Sequence, residues 1–244
     1  MSRTPERGLF VTGTDTGVGK TFVACALLRG LRARGLNVGA MKPVETGVGP
    51  EGPLDAIALR SAAGASDALD EVCPERFALP AAPSVAAAHE GRSVDLARIE
   101  AAFGALAQRH DLVIVEGAGG VLVPLSDTLD MAGLASHLEL PVLLVARAAL
   151  GTVNHTRLSL EALERRDLVL AGVVLSHGGH TIDAAEARNL EGLRRELGPR
   201  MIGEIPPLRS GGVPEAGAIE FGALLRALAH DPSARAADPH RHLL

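Results

Sequence analysis

The chain has 244 residues, with 24 Lys and Arg against 29 Asp and Glu, a net charge of -5, and 47% hydrophobic but only 2% aromatic residues, none of them Trp or Tyr. This length suits one α/β domain with an aliphatic core, and an acidic balance without a Lys/Arg cluster excludes the electrostatic footprint of a nucleic-acid partner. Two widely separated cysteines, Cys25 and Cys73, exclude a disulfide framework or a Cys-rich metal site, and Cys25 reads as a buried small hydrophobe.

From the start of the chain, MSRTPERG is followed by no signal-like apolar run, and nowhere do the roughly 20 apolar residues of a membrane span occur. A cytoplasmic protein is expected. The first predicted strand is LFVTG (9–13), and a helix follows over 19–35, where Val23, Leu27 and Leu31 recur on one face and Gly35 is a natural terminator. Next come a strand at NVGAMKP (37–43), a helix over 54–64, an Ala-rich stretch (81–88) too short to be low complexity, and a helix over 93–109. Apolar strands DLVIVEG (111–117), PVLLVAR (141–147), LVLAGVVLS (168–176) and MIGEIP (201–206) then alternate with helices over 129–138, 152–165, 181–197 and 217–230. Continuous apolar strands alternating with helices predict a doubly wound, mostly parallel α/β sheet with helices on both faces and right-handed crossovers. One domain over 1–230 and a flexible, Pro-punctuated tail over 231–244 are expected.

In such sheets ligands bind beyond the carboxyl ends of the strands, and the unusual residues cluster there. GTDTGVGKT (13–21) ends like a phosphate-binding loop, yet where the Walker A pattern G-x-x-x-x-G-K-[ST] requires its first glycine the chain has Thr14, with Gly13 one step earlier. Backbone N–H groups at this strand-to-helix turn suit an anion, Lys20 the terminal phosphates, and Thr21 a Mg²⁺ ion. The plainer reading is a tight turn with an exposed lysine. In MKPVETG (41–47), Lys42 reaches the same sheet end, where a second cation can stabilise charge during phosphoryl transfer. Alone it would read as a surface lysine. Thr46 is placed to bond a substrate amine. Glu116, in VEGAGG (115–120), occupies the Walker B carboxylate position, and the glycines after it permit close backbone approach or simply form a turn. Asp55 either completes the metal site or caps its helix. Ser84, Ser126 and Ser136 lack a nucleophile-elbow context, and no carboxylate or Cys pattern makes a metal site of His177, His180 or the HRH at 240–242.

Taken together, GTDTGVGKT, KPVETG, VEGAGG, PLSDT and LGTVNH resemble, in order and context over about residues 8–208, the dethiobiotin synthetases. In that family the phosphate loop has the longer G-x5-G-K-T form, so the irregular spacing of GTDTGVGKT fits it. The resemblance implies an ATP- and Mg²⁺-dependent cyclo-ligase of biotin synthesis. It would close the ureido ring of dethiobiotin from 7,8-diaminononanoate and CO₂ through an N-carbamate and a carbamic-phosphoric anhydride. It further implies that Gly17, Val18, Gly19, Lys20, Thr21 and Phe22 wrap the triphosphate, and that Lys42 is the catalytic lysine, acting with Lys20. Thr21, Asp55 and Glu116 become Mg²⁺ ligands; Gly117, Ala118 and Gly119 line the nucleotide site; Thr46 and Gly120 face the substrate. Homodimers are implied, with the substrate carboxylate held at the partner's helix start, which matches Leu150 to Asn154. Ser176 and His177 stand where many relatives have Asn-Asp, implying relaxed base selectivity and acceptance of other nucleoside triphosphates. The base would rest on Pro206, Pro207 and Leu208, with Glu215 a candidate acidic contact.

Two other classes share part of this pattern. ParA/MinD-like positioning ATPases usually carry an extra lysine early in the loop, absent from 13–19, and a basic membrane-targeting helix, which 217–230 lacks. Cobyrinate-type amide synthetases generally add a glutaminase domain, for which this length leaves no room.

Overall fold

The computed structural model describes residues 8–178, 182–206 and 218–229. Its main sheet is built from Gly8–Gly13 (β1), Val38–Met41 (β2), Leu112–Gly120 (β5), Val142–Arg147 (β6), Leu170–Ser176 (β7) and Met201–Ile205 (β8). Their order is β2-β5-β1-β6-β7-β8, and every neighbouring pair is parallel. The expected doubly wound sheet is therefore present. β1 is central, and the winding reverses beside it, which opens a crevice at its carboxyl end.

Side chains alternate across the sheet, as the two-residue period of a strand demands. Phe10, Val113, Val115 and Leu144 enter one apolar core, whereas Leu9, Val11, Ile114 and Leu143 enter the other. The second core is covered by Lys20–Arg32 (α1), Leu54–Ala63 (α2) and Phe221–Ala229 (α9). Leu96–Arg109 (α5), Met131–His137 (α6), Thr152–Glu164 (α7) and Ala184–Leu197 (α8) cover the first. Helix α1 stops at Arg32, after which Gly35, at φ 87°, turns the chain into β2. Asp183 caps α8 through a reciprocal capping box with Glu186.

The stretch between β2 and α5 holds more structure than its sequence suggests. Val44–Thr46 (β3) and Glu75–Phe77 (β4) form a separate parallel pair, and Leu69–Val72 (α3) and Pro83–His89 (α4) are short helices. Three-residue strands give too few positions for alternation to register, and they carry Glu45, Glu75 and Arg76 within buried or half-buried surroundings. β5 is also longer than the expected 111–117: the glycines of VEGAGG lie within the strand, with Gly13 paired to Gly120, rather than in a turn. Gly119, at φ 67°, is where glycine is needed: a Cβ there would come 2.6 Å from Val123 Cγ2.

At the amino end of β2 and β5 a polar clasp joins the edge strand to α5. Asn37 Nδ2 donates to the Arg109 carbonyl (2.7 Å), and the Asn37 N–H donates to Asp111 (2.9 Å). The buried His110 ring bridges Asn37 Oδ1 (3.0 Å) and Asp67 (2.9 Å), while Arg109 pairs with Asp67 and Glu71. Among the described residues no helix is long and apolar enough to cross a membrane. The expected tail over 231–244 lies outside them, as do His180 and the 240–242 histidines.

Candidate functional site

The site forms where β1, β2 and β5 end together. The chain leaves β1 through residues 14–19 and enters α1 at Gly19, whose φ of 95° lies in the left-handed region. A Cβ at Gly19 would also lie 2.5 Å from Ser176 Oγ, so only glycine fits both the turn and its neighbour. Gly17, at φ 70°, supplies the other left-handed residue of the loop. Val18 is buried under the loop, and Phe22 is half-buried on α1.

Lys20 is not the exposed lysine of the plain reading. It is only 7% exposed, its ammonium donates to the Asp15 carbonyl (3.1 Å), and burial, aided by repulsion from Lys42, pulls its pKa down to about 8. Such a group gains from an arriving polyanion. Lys42, at the end of β2, is 4% exposed and donates to Glu116 Oε1 (2.6 Å) and Asp55 Oδ2 (2.8 Å). Burial alone would lower its pKa, but the two carboxylates outweigh that and raise it above the usual lysine value. Lys42 therefore stays charged.

Asp55 does not cap its helix. Pro53 is the N-cap of α2, no side chain of that cap bonds the helix, and the Asp55 carboxylate faces Lys42. Burial would raise its pKa, but Lys42 and the Thr21 hydroxyl hold it below the usual carboxylate range. Thr21 Oγ1 also donates to Glu116 Oε1 (2.8 Å). Glu116 is fully buried, and its Oε2 has no hydrogen-bond partner. A buried carboxylate oxygen normally has one.

Thr21, Asp55 and Glu116 thus offer only hard oxygen donors, the set that suits Mg²⁺, which typically rests on one or two carboxylates with substrate phosphates completing its shell. Among the described residues there is no cluster of three or more His, Cys, Asp or Glu able to hold a metal unaided.

The remaining predicted residues fall around this centre. Thr46 ends β3, half-buried, and Gly117, Ala118, Gly119 and Gly120 continue β5 beyond Glu116. Ser176 ends β7 with its hydroxyl buried against Gly19 and unpartnered. His177 is tied to Glu204 (2.6 Å), which also takes a bidentate contact from Arg194 (2.6 and 2.8 Å). Pro206 follows β8, whereas Pro207, Leu208 and Glu215 lie outside the described residues. Asn154 lines a cavity of about 350 Å³ at the amino end of α7 with Gly151, Thr152, Val153, Arg157 and Asn189. Leu150, just before it, is exposed.

Two residues escape the sequence reading. Arg147, at the end of β6, donates to the Thr16 carbonyl (2.8 Å) and tethers the phosphate loop. Glu45 accepts from the N–H groups of Asp55 and Ala56, each at 3.0 Å. Its neighbour Lys42 was its one signal in the sequence; for Arg147 the signal was a cation directly after an apolar strand.

Residues 7–214 match the family model described as an AAA domain. The ATP-dependent dethiobiotin synthetase BioD of Anaeromyxobacter dehalogenans (strain 2CP-C) is 56% identical over 78% of this chain and 85% of its own length. That of Aromatoleum aromaticum is 45% identical over 83% of this chain and 92% of its own. A ParA family ATPase from Chlorobium tepidum TLS superposes with a TM-score of 0.50 over 91% of this chain and 90% of its own, at 14% identity, a likeness of fold alone. The chain belongs to the dethiobiotin synthetase family.

Proposed function

We propose that, as a member of this family, the chain closes the ureido ring of dethiobiotin from 7,8-diaminononanoate, CO₂ and ATP, a late step in biotin synthesis. One observation carries the mechanism: a buried Lys42 paired with both Asp55 and Glu116, beside the Lys20 of a phosphate loop.

The chemistry requires a leaving group. An amine of the substrate takes up CO₂ to give a carbamate, whose carbon is a poor electrophile because both oxygens share the negative charge. When a carbamate oxygen attacks the γ-phosphorus, the bond to the β-γ bridging oxygen breaks and ADP departs. The second amine then attacks the carbonyl of the mixed anhydride, phosphate leaves, and the ring is closed.

The carbamate, the triphosphate and the departing phosphate of that sequence are all anionic, and the protein answers with preorganised charge. Backbone N–H groups of residues 17–22 and the ammonium of Lys20 bind the triphosphate. Lys42 bridges the carbamate and the transferring phosphoryl group, and its two carboxylate partners fix its position. Thr21, Asp55 and Glu116 would hold Mg²⁺, which neutralises phosphate charge when bound. Gly117 to Gly120 let the ligand approach the β5 backbone, and Thr46 orients a substrate amine. Across a homodimer, the amino end of α7 at Leu150 to Asn154 holds the substrate carboxylate of the partner, as a helix N-terminus can without a lysine. Ser176, His177 and Pro206 border the base. A ligase consuming ATP and CO₂ belongs in the cytoplasm, where both are available.

Incubating the purified protein with Mg-ATP, bicarbonate and diaminononanoate should yield dethiobiotin, ADP and phosphate, identified by mass spectrometry. Absence of that product, with ATP turnover stimulated instead by DNA or lipid, would replace this reading with that of a positioning ATPase.

A further inference from the structure

We infer that Glu45 is a positioning residue that sets the affinity of the site for its divalent cation by fixing Asp55; this rests on the reading that Asp55 is a cation ligand. The N-cap of helix α2 is Pro53, a residue whose side chain cannot accept the N–H groups that every helix start leaves open. Glu45 does so from a distance in sequence: its two oxygens take the N–H groups of Asp55 and Ala56, one each, at 3.0 Å. It is 8% exposed, so these bonds face little competition from water.

Glu45 stands on a rigid support. Lys42 N–H donates to the Val72 carbonyl (2.7 Å), Glu75 N–H donates to the Pro43 carbonyl (3.2 Å), and Val44 to Thr46 pair with Glu75 to Phe77. The segment carrying Lys42, Glu45 and Thr46 is thereby fixed, and α2 is the element that must be brought to it. The connection between them, residues 47–53, includes Gly47, Gly49 and Gly52, two of them at positive φ. Its start is anchored by the Gly47 and Val48 N–H groups, which donate to the Leu79 and Phe77 carbonyls (3.2 and 3.0 Å), and a Gly52-to-Gly49 bond (3.0 Å) closes a local turn. The Glu45 bonds then tie the Asp55 backbone directly to β3, and from there its side chain reaches Lys42 at 2.8 Å. With both oxygens engaged, Glu45 orients a cation ligand while leaving Lys42 to Asp55 and Glu116.

Outer partners of metal ligands typically change metal affinity about ten- to a hundred-fold. Binding of Mn²⁺ followed by electron paramagnetic resonance, with a non-hydrolysable ATP analogue present, tests the idea on wild type, E45A, E45Q, D55A and E45A/D55A. E45A should weaken Mn²⁺ binding about ten-fold or more, and E45Q by less, because its single oxygen can still take one N–H. The half-saturating Mg²⁺ concentration for turnover should rise by a similar factor, with a smaller fall in rate at saturating metal. In the D55A background, E45A should add nothing. Wild-type Mn²⁺ affinity in E45A, or an equal loss with and without Asp55, would overturn the positioning role. Unchanged affinity in D55A would overturn the assignment of Asp55 itself.

Discussion

Strands β2 and β5 carry a polar and ionic cluster at each end, partly open at the amino end and largely buried at the carboxyl end, and the two are built on opposite rules. At the amino end, Asn37, His110, Asp67 and Arg109 all find partners within the cluster: the His110 ring nitrogens lie 3.0 and 2.9 Å from Asn37 Oδ1 and Asp67 Oδ2, Asn37 Nδ2 donates to the Arg109 carbonyl, and Arg109 donates to Asp67. At the carboxyl end satisfaction is incomplete. Glu116 Oε2, Thr12 Oγ1 and Ser176 Oγ are buried without partners, and Lys20 is a desolvated cation with a depressed pKa. Buried polar groups left open cost stability, so a protein keeps them where a ligand will complete them. The amino end links the edge strand to α5; the carboxyl end leaves buried polar groups open where ligands bind in sheets of this class.

The largest test of this contrast is Lys42→Ala. Loss of a preorganised cation at the reacting phosphoryl group should lower turnover by roughly a hundred-fold or more, while equilibrium titration finds nucleotide binding within a few-fold of wild type. A near-wild-type rate would remove Lys42 from the mechanism.

Next in size is the pH dependence set by Lys20. Because its pKa in the free protein is about 8, it is neutral above that value, and a triphosphate must draw a proton back to it. Affinity should then fall by up to about ten-fold per pH unit above 8, and calorimetry in buffers of different ionisation heat should record proton uptake that Lys20→Met abolishes. Folding depends on pH in the opposite direction: between about 8 and the ordinary 10.5, the unfolded chain binds more protons, so the free protein gains stability as pH rises.

A smaller effect is expected from His110→Ala at the other end. Stability should fall by about 1–3 kcal/mol as Asn37 and Asp67 each lose a buried partner, seen as a lower thermal midpoint, with turnover at room temperature within about two-fold of wild type. A proportionate loss of turnover would show that the ends are not independent. Smallest is base selectivity. With the Ser176 hydroxyl buried against Gly19, competition among ATP, CTP and GTP at equal concentration should differ by less than about ten-fold; a strong preference for ATP would show that other groups read the base.

Much of the carboxyl end was legible in the chain itself. Lys20 and Thr21 follow a strand and open a helix, Lys42 follows the apolar strand β2 and Glu116 follows the apolar run 112–115 of β5, and such positions converge in a parallel sheet. Asp55 remained divided between ligand and cap, because both roles place a carboxylate at the start of a helix. The cap half of that alternative falls away in the structure, where Pro53 is the N-cap and Glu45 takes the first N–H groups from β3. That arrangement has no local signature: the acceptor precedes the donors by ten and eleven residues, outside the one-turn reach of a capping box. The clasp at the amino end was likewise invisible, since Asn37, Asp67 and His110 read separately as ordinary polar residues.

The sequence by itself determined the doubly wound class, the position of the phosphate loop and the identity of its cations, because apolar periodicity and strand-end chemistry are local properties of the chain. Only the tertiary structure decided which carboxylates meet Lys42, that Glu45 holds Asp55, and that the β5 glycines stay in the strand. Those outcomes depend on contacts between segments far apart in sequence, formed when the sheet and its helices pack.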